Sequence, residues 1–245
     1  MPEHKFNEFE QIIIRSGNEL GAAVLLILAW IAASDGTIDK KEIKKLSDIS
    51  SAAKYAQEIE PLLRLVKNRN INALQLACEI VNRHFRGDKA NLFIEMAIGM
   101  AISDGYLLPT ENHILRFLAD LLGIGNSGLN ALFVEITGSE IPYPSDVSSA
   151  KFWRSRAKTN SGSTGGSNTK NDSQHTSKTE KMAQAYAVLG LRQGATMEEI
   201  RKTYYRLAQI HHPDRFASLG EEAVAAATNT FQRINEAYEF LVKHA

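Results

Sequence analysis

The chain is short of cysteine and proline and has no surplus of either charge. A single cysteine, Cys78, has no second thiol to pair with. No internal disulfide can staple the fold, and a reducing compartment is its natural setting. Cys78 lies in an apolar helical run, LQLACEIV, and is expected to be a buried structural thiol. Six prolines in 245 residues leave long stretches free to be helical. Lys and Arg total 28, Asp and Glu total 28, so the formal charge is zero. That balance gives no general electrostatic footprint for nucleic acid or for a membrane surface.

Long hydrophobic runs are missing too. The longest, LGAAVLLILAWIAA at residues 20–33, has fourteen residues, against about twenty for a spanning helix. Glu19 and Asp35 flank it, and the segment before it carries Glu3, Glu8 and Glu10, unlike a signal-peptide start. It is expected to be a buried core helix, with no integral membrane insertion and a cytoplasmic location. No P-loop, dinucleotide fingerprint, nucleophile elbow or triad spacing is present, so no enzyme activity and no cofactor are expected.

What is present is helical periodicity. Apolar residues recur at i, i+3 and i+4 through residues 1–137, as in Phe6/Phe9/Ile13, Ile43/Leu46/Ile49, Phe93/Met96/Ala97/Met100 and Leu129/Leu132/Phe133/Ile136. No stretch alternates with period two. The fold class is all-α. A weak repeat lies within this region: LAWIAASDGTIDKKEIKKL, from residue 28, aligns with IGMAISDGYLLPTENHILRFL, from 98, when Asp35 is set on Asp104. Asp35-Gly36 then matches Asp104-Gly105, and Glu42 matches Glu111. In each copy a helix is expected to end at Ser-Asp, glycine to turn left-handed, and a new helix to begin. Asp39 would be the N-cap and Glu42 its capping-box partner in the first copy; Pro109 sits at N1 in the second.

The composition shifts at residue 138. SRAKTNSGSTGGSNTKNDSQHTSK is dominated by Ser, Thr, Asn and Gly and holds one apolar residue, Ala157. It cannot bury enough surface to order itself. As a coil of some two dozen residues it would span roughly 25–30 Å. Phe152-Trp153, among basic residues just upstream, suits packing back onto the helical region or contact with a partner or anionic surface.

A second helical region follows. In MEEIRKTYYRLAQIHHPDR the positions Ile200, Tyr204, Leu207, Ala208 and His211 share one helix face, with Arg201, Lys202 and Arg206 off it. Pro213 ends the helix and pushes His212 out of the αR region. Phe231, Ile234, Ala237, Tyr238 and Leu241 mark another amphipathic helix. The two form an antiparallel hairpin across a short polar loop, with His212-Pro213-Asp214 displayed at its tip. His211, His212 and Asp214 are too close in sequence to converge on one tetrahedral metal ion.

Residues 180–245 resemble a J-domain, the DnaJ module that docks on DnaK-type chaperones. Tyr186, Leu189 and Gly190 in AYAVLGL match the Y-x-x-LG start of its first helix; IRKTYYRLAQIHHPDR matches the second helix and the loop tripeptide; FQRINEAYEFL matches the third. The resemblance implies a co-chaperone that stimulates ATP hydrolysis by a DnaK-type ATPase chaperone. By position it assigns the chaperone contacts to Arg201, Tyr204, Arg206, His212, Pro213, Asp214 and Arg215. It assigns Tyr186, Leu189, Leu207, Phe231, Ile234, Tyr238 and Leu241 to the core. Tyr205 and Ile210 depart from the family pattern, since basic residues are common there, and thin the positive face.

The repeated D-G-x-x-x-x-x-E pattern resembles the TerB family of tellurite-resistance proteins, over residues 15–137. A TerB-like domain joined to a C-terminal J-domain resembles the DjlA type of co-chaperone, although that type carries an N-terminal membrane helix and none is visible here. The expected architecture is therefore a TerB-like helical bundle at 1–137, a flexible polar linker at 138–179 and a J-domain hairpin at 180–245. The N-terminal domain would choose an unknown client protein or a location. The other functional class is a TerB-type metal-binding or stress-response module with an accessory J-domain. Asp35, Asp39, Glu42, Asp104 and Glu111 are the metal candidates, but their pattern is not an EF-hand, and turn and capping chemistry accounts for each of them.

Overall fold

A computed structural model describes residues 6–35, 38, 40–52, 58–144, 146, 149–150 and 178–244. Every regular element among them is helical. The first eight helices are α1 (Glu8–Ser16), α2 (Glu19–Ala32), α3 (Lys40–Ala52), α4 (Ile59–Lys67), α5 (Ile71–His84), α6 (Asp88–Ala101), α7 (Pro109–Leu121) and α8 (Gly125–Thr137). Three more are α9 (Lys178–Val188), which begins two residues inside the stretch expected as a linker, α10 (Met197–Ile210) and α11 (Glu221–His244), with a 3₁₀ segment at Pro213–Leu219.

Two helices are enclosed by the others. Residues 21–29 of α2 are all buried, Leu25, Ile27 and Leu28 completely. The apolar run at residues 20–33 is thus a core helix, wrapped by α1, α3, α4, α5 and α6. Among the described residues no helix is long and apolar enough to cross a membrane. Helix α6 is the second centre, packed on α7 and α8 as well as α2. Phe93 on α6 is fully buried and its ring lies 5.1 Å from that of Phe85. A completely buried phenylalanine contributes on the order of 2–3 kcal/mol by area removed from water. Cys78 is buried on α5, and that burial, helped by the charge of Glu79, raises its thiol to about 11.

The internal repeat has a structural counterpart. With Asp35 set on Asp104, α2 (Glu19–Ala32) falls on α6 (Asp88–Ala101) and α3 (Lys40–Ala52) on α7 (Pro109–Leu121). In the second copy Glu111 accepts the Leu108 N–H at 2.8 Å, which satisfies one of the orphan donors at the start of α7. In the first copy α3 begins at Lys40, directly after the expected cap; Asp39 itself lies outside the described residues.

Residues 138–142, the start of the polar stretch, are pinned to the N-terminal helices. Ile141 is buried, and its N–H donates to Asn130 Oδ1 at 3.0 Å. Asn112 Nδ2 and Arg116 Nη2 both donate to the Pro142 carbonyl, at 2.8 and 3.0 Å. The expected flexible body of that stretch, with Phe152-Trp153, falls in residues 151–177, outside those described.

The C-terminal helices are packed onto the N-terminal ones. Helix α11 contacts α2, α3 and α6 as well as α9 and α10, and the 3₁₀ segment also touches α6. Helix α11 is longer than the periodicity from Phe231 implies. It starts ten residues earlier, at Glu221, through the run EEAVAAATNT. Alanine has the highest helix propensity, and Glu221 and Glu222 complement the positive end of the dipole. This first half carries buried Ala223, Ala226 and Ala227. The second half carries buried Ile234, Ala237 and Leu241.

Candidate functional site

Helix α10 is held at its start by a capping box. The Glu199 N–H donates to Thr196 Oγ1 at 3.3 Å, and the Thr196 N–H donates to the Glu199 carboxylate at 2.7 Å. The Thr196 N–H, and then its hydroxyl, both donating to the carboxylate, keep the exposed Glu199 carboxyl below its ordinary range. Ile200, Leu207 and Ile210 face inward, and Tyr204 stacks on Tyr238 of α11 with ring centroids 3.9 Å apart. The helix ends at His211. His212 then takes φ −63° and ψ 128°, the extended conformation that a following proline imposes.

The tripeptide projects from this end. His212 and Asp214 are exposed, the Asp214 side chain almost fully (91%). The Asp214 N–H donates to His212 Nδ1 at 3.3 Å, and Asp214 Oδ2 lies 3.6 Å from the same nitrogen. The His212 ring stands edge-on to Phe231 at 5.8 Å. A bond inside the turn and an aromatic beneath it fix the imidazole while leaving it reachable.

The other residues assigned by position are dispersed in environment. Arg201 is exposed, Tyr204 is half-buried in its stack, and Tyr205 is 62% exposed. Arg206 and Arg215 face the N-terminal helices. Arg206 Nη1 donates to the Ile136 carbonyl at 2.9 Å and to that of Glu135. Both carbonyls belong to the last turn of α8, where helix geometry leaves them without an intrahelical donor. Burial lowers the Arg206 guanidinium from its usual range, with the charge of Glu135 acting against that. Arg215 Nη1 pairs with Glu95 Oε2 of α6 at 3.0 Å and donates to the Ile210 carbonyl. Burial raises the Glu95 carboxyl, and the charge of Arg215 pulls it back. Ile210, where a basic residue is common in the family, is buried here.

His211 was expected on the apolar face and is 2% exposed. Burial, then the charges of Arg215 and Arg206, lower it to about 4, so the ring is neutral at pH 7. Its neighbour is Gly99 of α6: a β-carbon there would stand 2.6 Å from His211 Cε1. Sequence reasoning missed this contact and its companion at Arg233. Arg233 Nη1 donates to Ser103 Oγ at 2.7 Å, and Nη2 pairs with Asp104 Oδ1. The available signal was a glycine inside a strongly helical apolar run, which implies a close approach.

Of the metal candidates, Asp39 and the Asp35 side chain lie outside the described residues. Glu42, Asp104 and Glu111 line one pocket of about 40 Å³ with Lys45, and Asp104 is paired with Arg233. Among the described residues no group of three His, Cys, Asp or Glu side chains is gathered that could hold a metal ion.

Two family models match the chain. The family model for the DnaJ domain matches residues 184–245, and that for the tellurite resistance protein TerB matches residues 19–132. The co-chaperone protein DjlA of Vibrio vulnificus is 25% identical over 232 residues, covering 92% of this chain and 78% of that protein. DjlA of Aliivibrio fischeri is 27% identical over 231 residues, covering 90% and 77%. DjlA of Vibrio cholerae is 28% identical over 160 residues, covering 64% and 52%. No solved structure matches. The chain thus matches the TerB model in its N-terminal part and the DnaJ-domain model in its C-terminal part, and is similar along most of its length to the DjlA co-chaperones.

Proposed function

We propose that this chain is a co-chaperone that engages a DnaK-type ATPase chaperone through the His212-Pro213-Asp214 turn and stimulates its ATP hydrolysis. The observation that carries the reading is the tripeptide itself, exposed at the end of α10 and braced by Phe231. The DnaJ-domain match and the co-chaperone relatives support it. Arg201 would supply positive charge for encounter, Arg206 and Arg215 would add theirs in the bound complex, and Tyr204 would set the helix register through its stack on Tyr238. The chain's part is binding rather than chemistry of its own. The TerB domain would choose the client or the location, and the lone buried thiol of Cys78 fits a cytoplasmic setting.

The test is calorimetric titration of the full chain into an ATP-loaded DnaK-type chaperone. Wild type should bind, and His212→Gln, which keeps the size of the turn but not the imidazole, should lose most of that affinity. Equal binding by the two would refute the proposal. A partner taken by the TerB domain would show in pull-downs with the chain carrying His212→Gln, where the chaperone contact is gone.

A further inference from the structure

The residues offered to the chaperone are partly occupied within the molecule. Arg206 is spent on the last turn of α8, and Arg215 on Glu95 of α6. These contacts are anchored on both flanks. Asn18 Nδ2 donates to Glu222 Oε1 at 2.8 Å, and Arg233 reaches Ser103 and Asp104. Between them the first half of α11 lies against α3 and α6, leaving a void of only about 20 Å³ lined by Lys45, Ile49, Met100, Ala226 and Thr230 among others.

Two glycines show that the approach is specific. Gly99 is buried inside α6, where glycine costs about 1 kcal/mol relative to alanine. The helix has no use for it; His211 does, since any β-carbon would strike the ring. Gly105, at φ +92°, follows the same helix, and a β-carbon there would stand 2.3 Å from that of Ala187 on α9. Gly99 is explained by the C-terminal helices alone, whereas Gly105 serves both its left-handed turn and the close approach of Ala187.

We propose that the TerB domain is an intramolecular competitor of the chaperone: it holds the J-domain docked through Arg206, Arg215 and His211, and chaperone binding requires or drives their release. The inference rests on the co-chaperone reading and adds its regulation. The Arg206 Nη1 donors cannot serve the end of α8 and a second protein at once. The exposed tripeptide permits a first encounter, and the full basic face becomes available only after undocking. Apparent affinity is then the intrinsic affinity reduced by the open fraction.

The experiment opens the dock from outside the tripeptide and its basic face. Gly99→Met places a side chain against His211 while raising the helix propensity of α6. Arg233→Glu independently sets a carboxylate against Asp104. Full-length wild type and both variants are compared by amide exchange, by titration into an ATP-loaded DnaK-type chaperone and by chaperone ATP hydrolysis. We expect faster exchange in α10 and α6, and apparent binding about tenfold tighter, with half-maximal stimulation at correspondingly lower concentration. Adding His212→Gln should remove the gain. Variants that have lost interface protection yet bind no tighter than wild type would overturn the competition and leave the co-chaperone reading intact. Protection retained in both variants would overturn the contact set on which the dock is built. No binding by wild type or by either opened variant would sink the co-chaperone reading, and the inference with it. Should Gly99→Met fail to fold, Arg233→Glu carries the same comparison.

Discussion

Acid should loosen the molecule at His211, and the size of the effect follows from its surroundings. The imidazole is displaced from its ordinary value of 6.5 to about 4 by burial and by the charges of Arg215 and Arg206. A base with a lowered folded pKa binds fewer protons when folded than when exposed. Stability from this group is therefore full above about pH 6.5 and falls as the pH drops toward 4. At pH 5 the loss is about 2 kcal/mol, taken from one and a half units below the free value. For a chain of this length that corresponds to roughly 4–8 °C in Tm. Glu95 and Glu222 work in the opposite direction, since burial raises both carboxyls and the folded state then takes up protons there. The difference between wild type and His211→Gln isolates the histidine. Melting both at pH 7.5, 6.5 and 5 should show wild type losing about 2 kcal/mol more than the variant by pH 5. Parallel curves for the two proteins would refute the burial and charge argument for His211.

Other consequences are read more simply. Phe93→Ala empties a fully buried site between α6 and Phe85 and should cost about 3–5 kcal/mol in denaturant unfolding; a loss below about 1 kcal/mol would contradict the packing. Thr196→Ala removes the side-chain half of the capping box on α10 and should cost about 1 kcal/mol, with little change on Thr196→Ser. Cys78, buried and with its thiol raised to about 11, should react with iodoacetamide at pH 8 only after denaturation; rapid labelling of the native chain would show an open α5.

The helices and their caps were legible because their signals are local. The face of α10, the stop at Pro213 and the core role of the apolar run at residues 20–33 follow from spacing, a missing N–H and a length. The repeat was legible from two Asp-Gly pairs, and its copies fall on the same helix boundaries. What could not be read was the packing of the C-terminal helices on α3, α6 and α8. It rests on pairs 70 or more residues apart, such as Arg206 with the end of α8 and Arg233 with Asp104. Periodicity marks which face is buried and not against what. A glycine such as Gly99 announces a close approach without naming the partner. The first half of α11 was missed for a related reason: EEAVAAATNT has helix propensity but no large apolar residue to mark a stripe.

The most direct test of the central claim is single-turnover ATP hydrolysis by a DnaK-type chaperone, with the full chain as the only addition. Wild type is predicted to accelerate hydrolysis, and His212→Gln, folded to the same helical content, to leave the basal rate unchanged. Equal acceleration by both, or none by wild type across the range in which the chaperone answers a general DnaJ protein, would contradict the account.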